Sequence, residues 1–295
     1  MKAPAFQYAR PASLAEAFAL LDEYQDDARI IAGGQTLLAT LNMRLSEPRM
    51  LVDLRDVRGL RGISLQRDHV RIGALTRHSE IEDSALVARS LPLLAMAAPH
   101  VAHRAIRNRG TIGGALAYAD PAAEWPACAL ALDATFVVRS VQGERRIKAA
   151  DFFMDLYTTA LAPGEILIAC EFPITLAAQR FHFNELVRRH GDYAIVGVAA
   201  CARIEHGMLV EPRFAFMGAS TVPLLARMTS AALEGVRFDA IDDALASASA
   251  ALEQELGPIA DLYNSAETKL HLARVLLKRA VMALVRPQAS GAADE

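Results

Sequence analysis

Two glycine pairs, each closing a short apolar stretch, are the residues in this chain best suited to hold a ligand. They are Ile31-Ala32-Gly33-Gly34-Gln35-Thr36 near the N-terminus and Thr111-Ile112-Gly113-Gly114-Ala115 in the middle. Glycine lacks a Cβ and adopts positive φ, so backbone can approach a ligand closely and successive N–H groups can converge on an anion. Together the pairs suggest two backbone cradles for the pyrophosphate of one dinucleotide; an ordinary turn explains either pair alone. Gln35 and Thr36 add side-chain donors. Neither G-x-G-x-x-G nor G-x-x-x-x-G-K-S/T is present, so a dinucleotide here requires a fold other than the Rossmann or P-loop type.

Further candidates surround the second pair. Arg104, Arg107 and Arg109 precede it and offer guanidinium groups to a phosphate, or form a solvated basic loop or a protein interface. Asp120 and Glu124 stand one helical turn apart, placed to accept hydrogen bonds from sugar or ribityl hydroxyls. Helix capping explains Asp120 equally well. Tyr193, in Arg188-Arg189-His190-Gly191-Asp192-Tyr193-Ala194, falls on an expected turn, where it stacks on a flat ring or packs at a strand start. His100-x-x-His103 lacks a third ligand for a metal, and Gly218-Ala-Ser220 lacks the second glycine of a nucleophile elbow. Cys128, Cys170 and Cys201 are widely spaced with no C-x-x-C, which fits a reducing compartment and leaves no set for an iron–sulfur cluster within the chain.

Bulk properties narrow the classes. The 295 residues suffice for two domains or one large one, and 31 Lys+Arg against 34 Asp+Glu gives a net charge of −3. No sequence-wide basic field is available to hold nucleic acid or an anionic membrane. Lys2 and Arg10 flank no apolar signal core, and the run Ala194–Ala202 is too short to span a bilayer. A soluble, cytoplasmic protein is expected.

Ser13-Leu-Ala-Glu16 reads as a capping box opening a helix to about Tyr24. Arg29–Ile31 follows as a strand, Thr36–Arg44 as a helix with Leu37, Leu38 and Leu41 at helical spacing, and Met50–Leu54 as a second strand. The first glycine pair thus sits in a β-α-β unit. From about Leu60 come short strands at Gly62–Leu65 and His69–Ile72, and Asp120-Pro121 has the signature of a helix start feeding Ala122–Leu132. Thr135–Ser140 and Glu144–Lys148 form a hairpin, and Glu165–Phe172 is another strand. Beyond a boundary near 173–180, Phe181–Val187, Ala194–Arg203 and Arg213–Met217 read as antiparallel strands. Helices follow at Val222–Leu233, Asp239–Glu255 and Ala266–Val285. The class is α+β, with a polar tail expected to be disordered.

Four segments taken together, Ala32–Thr36, Arg107–Gly114, Ala119-Asp120-Pro121-Ala122-Ala123-Glu124 and Arg189–Ala194, closely resemble the FAD-binding medium subunit of molybdenum hydroxylases, the xanthine dehydrogenase and carbon monoxide dehydrogenase type. The resemblance runs over nearly the whole chain. It implies a two-subdomain FAD-binding fold of the vanillyl-alcohol-oxidase (PCMH) type, with subdomains at 1–56 and 57–176. A C-terminal α+β domain with a small antiparallel sheet at 177–287 and a tail at 288–295 complete the division. By resemblance, Ile31–Thr36 and Thr111–Ala115 line the pyrophosphate and ribityl, Val101 and Leu161 pack near the flavin, Glu124 binds a hydroxyl with Asp120 sharing that role, and Tyr193 lies close to the isoalloxazine. Many relatives have Asp where Glu124 stands, and a lysine found in some near Asn184 or Glu185 is missing here.

The resemblance further implies no catalytic acid, nucleophile or metal site in this chain. A large partner with molybdopterin hydroxylates the substrate, a small partner with two 2Fe–2S clusters reduces the FAD, and an external acceptor reoxidises it. A dimer of heterotrimers is expected. Alternatives are a self-contained flavoenzyme such as UDP-N-acetylenolpyruvoylglucosamine reductase and an adaptor that has lost its flavin.

Overall fold

Ser13 opens the first helix as its N-cap, while the Glu16 side chain reaches back one residue further than a capping box would, to Ala12. The Ser13 hydroxyl accepts the Glu16 N–H at 3.2 Å, and the Glu16 carboxylate accepts the Ala12 N–H at 2.9 Å. Helix Leu14–Tyr24 packs Ala17 and Phe18 against a small parallel sheet. In the computed structural model, which describes residues 2–176 and 178–286, strands Ala28–Ile31 and Met50–Asp53 pair in parallel with Ile31 opposite Asp53. Helix Leu37–Asn42 joins them. The first β-α-β unit is therefore as expected, with one addition: Gln7–Ala9 pairs in parallel on the far side of Met50–Asp53. Three residues, flanked by Pro4 and Pro11, carry too little alternation to be read as a strand. The tail 288–295 lies outside the described residues.

The second unit is a five-stranded antiparallel sheet in the order Ile63–Leu65, His69–Gly73, Ile166–Pro173, Thr135–Ser140, Gly143–Lys148. Its last strand in sequence is its centre, and seven of the eight residues of Ile166–Pro173 are buried. The third unit is a four-stranded antiparallel sheet of Gln179–Leu186, Val196–Glu205, Met208–Met217 and Leu224–Leu225. Its apolar run is explained by cover on both faces. Val196, Val198 and Ala200 pack with helices Ile241–Leu256 and Ala266–Val285, while Ala199 and Ala215 pack with the core of the second unit.

Helix Glu124–Ala131 supplies that second cover, and all eight of its residues are buried. Arg213 donates from Nη2 to the Leu130 carbonyl at 2.7 Å and from Nε to Ala131 at 2.9 Å, satisfying carbonyls that a helix leaves open at its C-terminus. The helix begins later than the Asp120-Pro121 signature suggested. Asp120 Oδ1 accepts the Ala122 N–H at 2.9 Å in a turn, and the Pro121 carbonyl accepts the Gly218 N–H at 2.8 Å instead of an intrahelical donor. That contact holds Pro121 outside the helix. The segment Arg104–Arg109, expected as a loop, contains a helical turn at Arg104–Arg107.

The first two units meet backbone to backbone at the glycine loops. A Cβ placed on Gly33 would stand 2.4 Å from the Arg109 carbonyl oxygen and 2.6 Å from Gly110 Cα, closer than any side chain tolerates. The Arg109–Gly110 backbone is itself pinned, since the Gly110 carbonyl accepts the His78 N–H at 3.0 Å. Gly33→Ala is expected to lower the unfolding free energy by about 1–3 kcal/mol through this overpacking, measured by urea denaturation. An unchanged midpoint would show that the two loops separate without cost.

Candidate cofactor-binding site

The loop Ala32–Thr36 turns sharply because Gly34 has φ +70°, in the left-handed region. Among the described residues, the N–H groups of Gly33, Gly34, Gln35 and Thr36 have no hydrogen-bond partner, though all four residues are half-buried. Buried or half-buried amides ordinarily find acceptors. The Gln35 side-chain amide donates to the Gly33 carbonyl at 3.0 Å, which stiffens the turn rather than filling it. Four neighbouring donors without a protein acceptor, on residues that line a cleft, make a candidate anion site of the nest type.

The second glycine pair does a different job. The Ile112 N–H donates to Thr76, the Gly113 N–H to Ala74 at 2.9 Å, and the Gly114 N–H to Thr111 Oγ1 at 3.2 Å, so these donors are already engaged within the chain. The pair was expected to be a second backbone cradle; the Gly113 amide, with that of Ile112, instead ties helix Ile112–Tyr118 to residues 74–76, and the Gly114 amide closes the helix N-terminus onto Thr111. What it offers is a smooth wall. A Cβ on Gly114 would meet Thr111 Oγ1 at 2.9 Å and then only Ala32 Cβ at 3.6 Å, across the gap between the loops.

A cleft of about 620 Å³ runs between the loops, lined by Ile31–Thr36, Thr111, Gly113, Gly114, Ala115 and Leu161 together with the apolar Leu54, Leu60, Leu75 and Leu167. Through Gln35, Thr36, Thr40, Tyr118 and Tyr157 it continues into a second cleft of about 610 Å³ that reaches Asp120, Tyr193, Gly218 and Lys269. Each falls within the range of about 300–1,000 Å³ typical of small-molecule sites. The set fits FAD: open amides for a pyrophosphate, apolar walls for one flat ring, and Tyr118, Tyr157 and the exposed Tyr193 for another. The floor of the second cleft is fixed by Lys269, whose Nζ donates to the Gly218 carbonyl at 3.0 Å and pairs with Asp261 at 2.9 Å. This hydrogen bond from Lys269 holds the Asp261 carboxyl down at about 2.

Three sequence candidates stand behind the cleft wall. Val101 and Ile112 are core residues, and Glu124 is buried at the start of its helix, where burial raises its carboxyl from 4.5 to about 8. Glu185 and Asp120 add to that rise through charge. Burial also raises Asp120. Two of the three guanidinium groups suggested for phosphate are engaged elsewhere. Arg107 is buried and binds both oxygens of Glu82 and the carbonyls of Pro99, Val101 and Ala102, while Arg104 pairs with Glu82 and Asp83. Arg109 is exposed. His100 and His103 part company: His100 Nδ1 lies 3.2 Å from Glu185, and His103 packs edge-on against His190. Residues that sequence reasoning missed include Tyr118, Tyr157, Lys269 and His78, all lining the clefts. No local motif marks them, because their neighbours in the site are distant in sequence.

The similarities to known proteins agree with this geometry. Residues 4–175 match the family described as the FAD-binding domain in molybdopterin dehydrogenase, and residues 181–284 match the CO dehydrogenase flavoprotein C-terminal domain. The nicotine 6-hydroxylase medium subunit of Paenarthrobacter nicotinovorans is 38% identical over 96% of this chain and 98% of its own. The carbon monoxide dehydrogenase medium chain of Afipia carboxidovorans is 35% identical, covering 94% of this chain and 95% of its own. Among solved structures, carbon monoxide dehydrogenase from Hydrogenophaga pseudoflava superposes with a TM-score of 0.94 at 35% identity, covering 96% of this chain and 98% of its own. Quinoline 2-oxidoreductase from Pseudomonas putida superposes with a TM-score of 0.90 at 38% identity, over 97% and 98%. From the first strand to the last helix, the chain belongs to the family of FAD-binding medium subunits of molybdenum hydroxylases, of the xanthine dehydrogenase and carbon monoxide dehydrogenase type.

Proposed function

We propose that this chain is the electron relay of a multi-subunit molybdenum hydroxylase, holding FAD along its two connected clefts. The observation that carries the reading is the row of unpaired amides from Gly33 to Thr36, set against the glycine wall of Thr111–Ala115. When bound, FAD supplies the ability to take electrons one or two at a time and pass them on. A small partner with two 2Fe–2S clusters delivers them, a large partner with the molybdopterin cofactor oxidises the substrate, and an external acceptor (NAD, a quinone, a cytochrome or oxygen) removes them. The expected assembly is a dimer of heterotrimers in the cytoplasm. No helix among the described residues is long and apolar enough to cross a membrane.

The chain's own residues bind, orient and shield. The amides of Gly33–Thr36 take the pyrophosphate charge without a cation, Thr111, Ile112, Gly113, Gly114 and Ala115 back it, and Leu161 and Val101 supply apolar packing. Tyr193, 64% exposed at the rim of the second cleft, gains cover by lying against the isoalloxazine. Asp120, on the lining of the second cleft, serves hydroxyls, whereas Glu124 lies behind the wall and lines neither cleft. With its carboxyl near 8, Glu124 is protonated at neutral pH and can donate a hydrogen bond as well as accept one. The buried thiols Cys128, Cys170 and Cys201 stand on a helix and two different sheets, consistent with clusters carried by a partner.

Three outcomes test this reading. Purified from its host, the chain should bring molybdenum- and iron–sulfur-containing partners and release FAD, identified by mass; a flavin-free chain without such partners would contradict it. Gly114→Val should abolish FAD retention, read from flavin absorbance, while the C-terminal domain stays folded by limited proteolysis; full flavin content in the folded variant would remove the wall from the site. Glu124 generates a pH signature. Its folded pKa of about 8 exceeds the unfolded 4.5, so the folded chain binds more protons between these values. Stability therefore falls as pH rises through that window, by up to about 1.4 kcal/mol per pH unit from this group, and levels off above 8. Glu124→Gln should flatten the denaturation profile from pH 5 to 8, whereas parallel profiles would mean that Glu124 is ionised in the folded chain.

A further inference from the structure

An imidazole sits directly beneath the junction of the two glycine loops. His78 opens helix His78–Glu82, is 5% exposed, and forms part of the lining of the first cleft. Its tautomer is dictated from the far side. Trp125 Nε1–H donates to His78 Nδ1 at 3.0 Å, and an indole nitrogen is only ever a donor, so Nδ1 presents its lone pair and the ring proton must stand on Nε2. Burial, with the charge of Arg107 behind it, lowers the ring's pKa to about 3, which keeps the imidazole neutral. A second proton on Nδ1 would also cost the tryptophan bond.

The Nε2–H meets no protein acceptor among the described residues, and it is not one of the fully enclosed polar atoms left without a partner, so it keeps access to the cleft that His78 lines. The ring lies against Gly110: a Cβ there would come within 2.7 Å of Nε2 and 2.8 Å of Cδ2, so the ring occupies a slot that only glycine leaves open. Gly110 in turn is the residue on which Gly33 packs. The unpaired imidazole donor is thus one backbone layer away from the unpaired amides of Gly33–Thr36, beside the same cleft. A donor at a cleft wall with no protein acceptor is free to give its hydrogen bond to a group bound in the cleft. Arg104 and Arg107 are engaged with Glu82 and Asp83, and none of Arg104, Arg107 and Arg109 lines the cleft, so the donors His78 and the first loop present to it are neutral N–H groups.

We infer that His78 is a cofactor-binding residue whose Nε2–H donates to an oxygen of the FAD pyrophosphate, with Trp125 as the positioning residue that fixes the donating tautomer. The inference rests on the assignment of Gly33–Thr36 as the pyrophosphate loop. A neutral imidazole suits the role because it adds a directed donor without adding a charge that burial would penalise.

The test uses the full chain freed of flavin, labelled with ¹⁵N, and titrated with FAD and separately with ADP as a pyrophosphate probe lacking the flavin. Before addition, the His78 ring nitrogens should report the Nε2–H tautomer; Trp125→Phe, which keeps the packing but removes the indole donor, should admit the other tautomer. On addition, the His78 Nε2–H and the Gly33–Thr36 amide signals should move together, and His78→Phe should weaken FAD binding about tenfold or more. If the loop amides respond while the Nε2–H does not, and His78→Phe binds FAD as tightly as the parent, the role of His78 is overturned and the loop assignment stands. If neither responds although FAD binds, both fall.

Discussion

Everything at the site depends on one contact between two stretches of backbone. Gly33 lies so close to Arg109 and Gly110 that no side chain fits between them. This contact joins a parallel β-α-β unit to an antiparallel five-stranded sheet and places two otherwise unremarkable turns on opposite sides of one cleft. Its geometry also divides the labour. Because the second loop commits its amides to Ala74 and Thr76 to hold its own helix in place, it is rigid and has few donors to spare. The first loop, freed from that duty, leaves its amides open to a ligand.

The anion site proposed at the first loop owes little to cations. The arginines that precede the second loop stabilise the fold: Arg107 threads three backbone carbonyls and Glu82, and Arg104 spans Glu82 and Asp83. Removing Arg107 would take the donor from the carbonyls of Pro99, Val101 and Ala102 and leave Glu82 held by Arg104 alone, a structural loss rather than an electrostatic one. On the other side, helix Glu124–Ala131 couples the cleft to the C-terminal sheet. Its Trp125 meets His78, its last carbonyls are held by Arg213, and the Pro121 carbonyl just before it receives the Gly218 N–H. Gly218 also supplies the carbonyl to which Lys269 donates, so the floor of the second cleft and the buried helix share one anchor.

The fold was largely legible in the sequence because its signals are local. The N-cap at Ser13, the hairpin from Thr135 to Lys148 and the apolar periodicity of Ala266–Val285 each sit inside a single element. Gln7–Ala9 was hidden because a three-residue edge strand has no period to detect. The start at Asp120-Pro121 misled for a tertiary reason: the Pro121 carbonyl is claimed by a residue almost a hundred positions away. The site was legible in part. Glycine pairs announce close approach, but the sequence does not say to what, and here Gly33 and Gly113 approach protein while Gly34 and Gly114 border the cleft. His78 and Lys269 carried no motif, since their meaning comes from Trp125, 47 residues away, and from Gly218, 51 residues away.

The central claim is that the two loops differ in kind, one an open nest of donors and the other a closed wall. Residue-resolved amide exchange of the full chain, with and without FAD, tests it most directly. The account requires rapid exchange at Gly33–Thr36 in the free chain and strong slowing once FAD is bound, with Ile112 and Gly113 already protected beforehand. Slow exchange at Gly33–Thr36 without FAD, or no change there on binding, would contradict it.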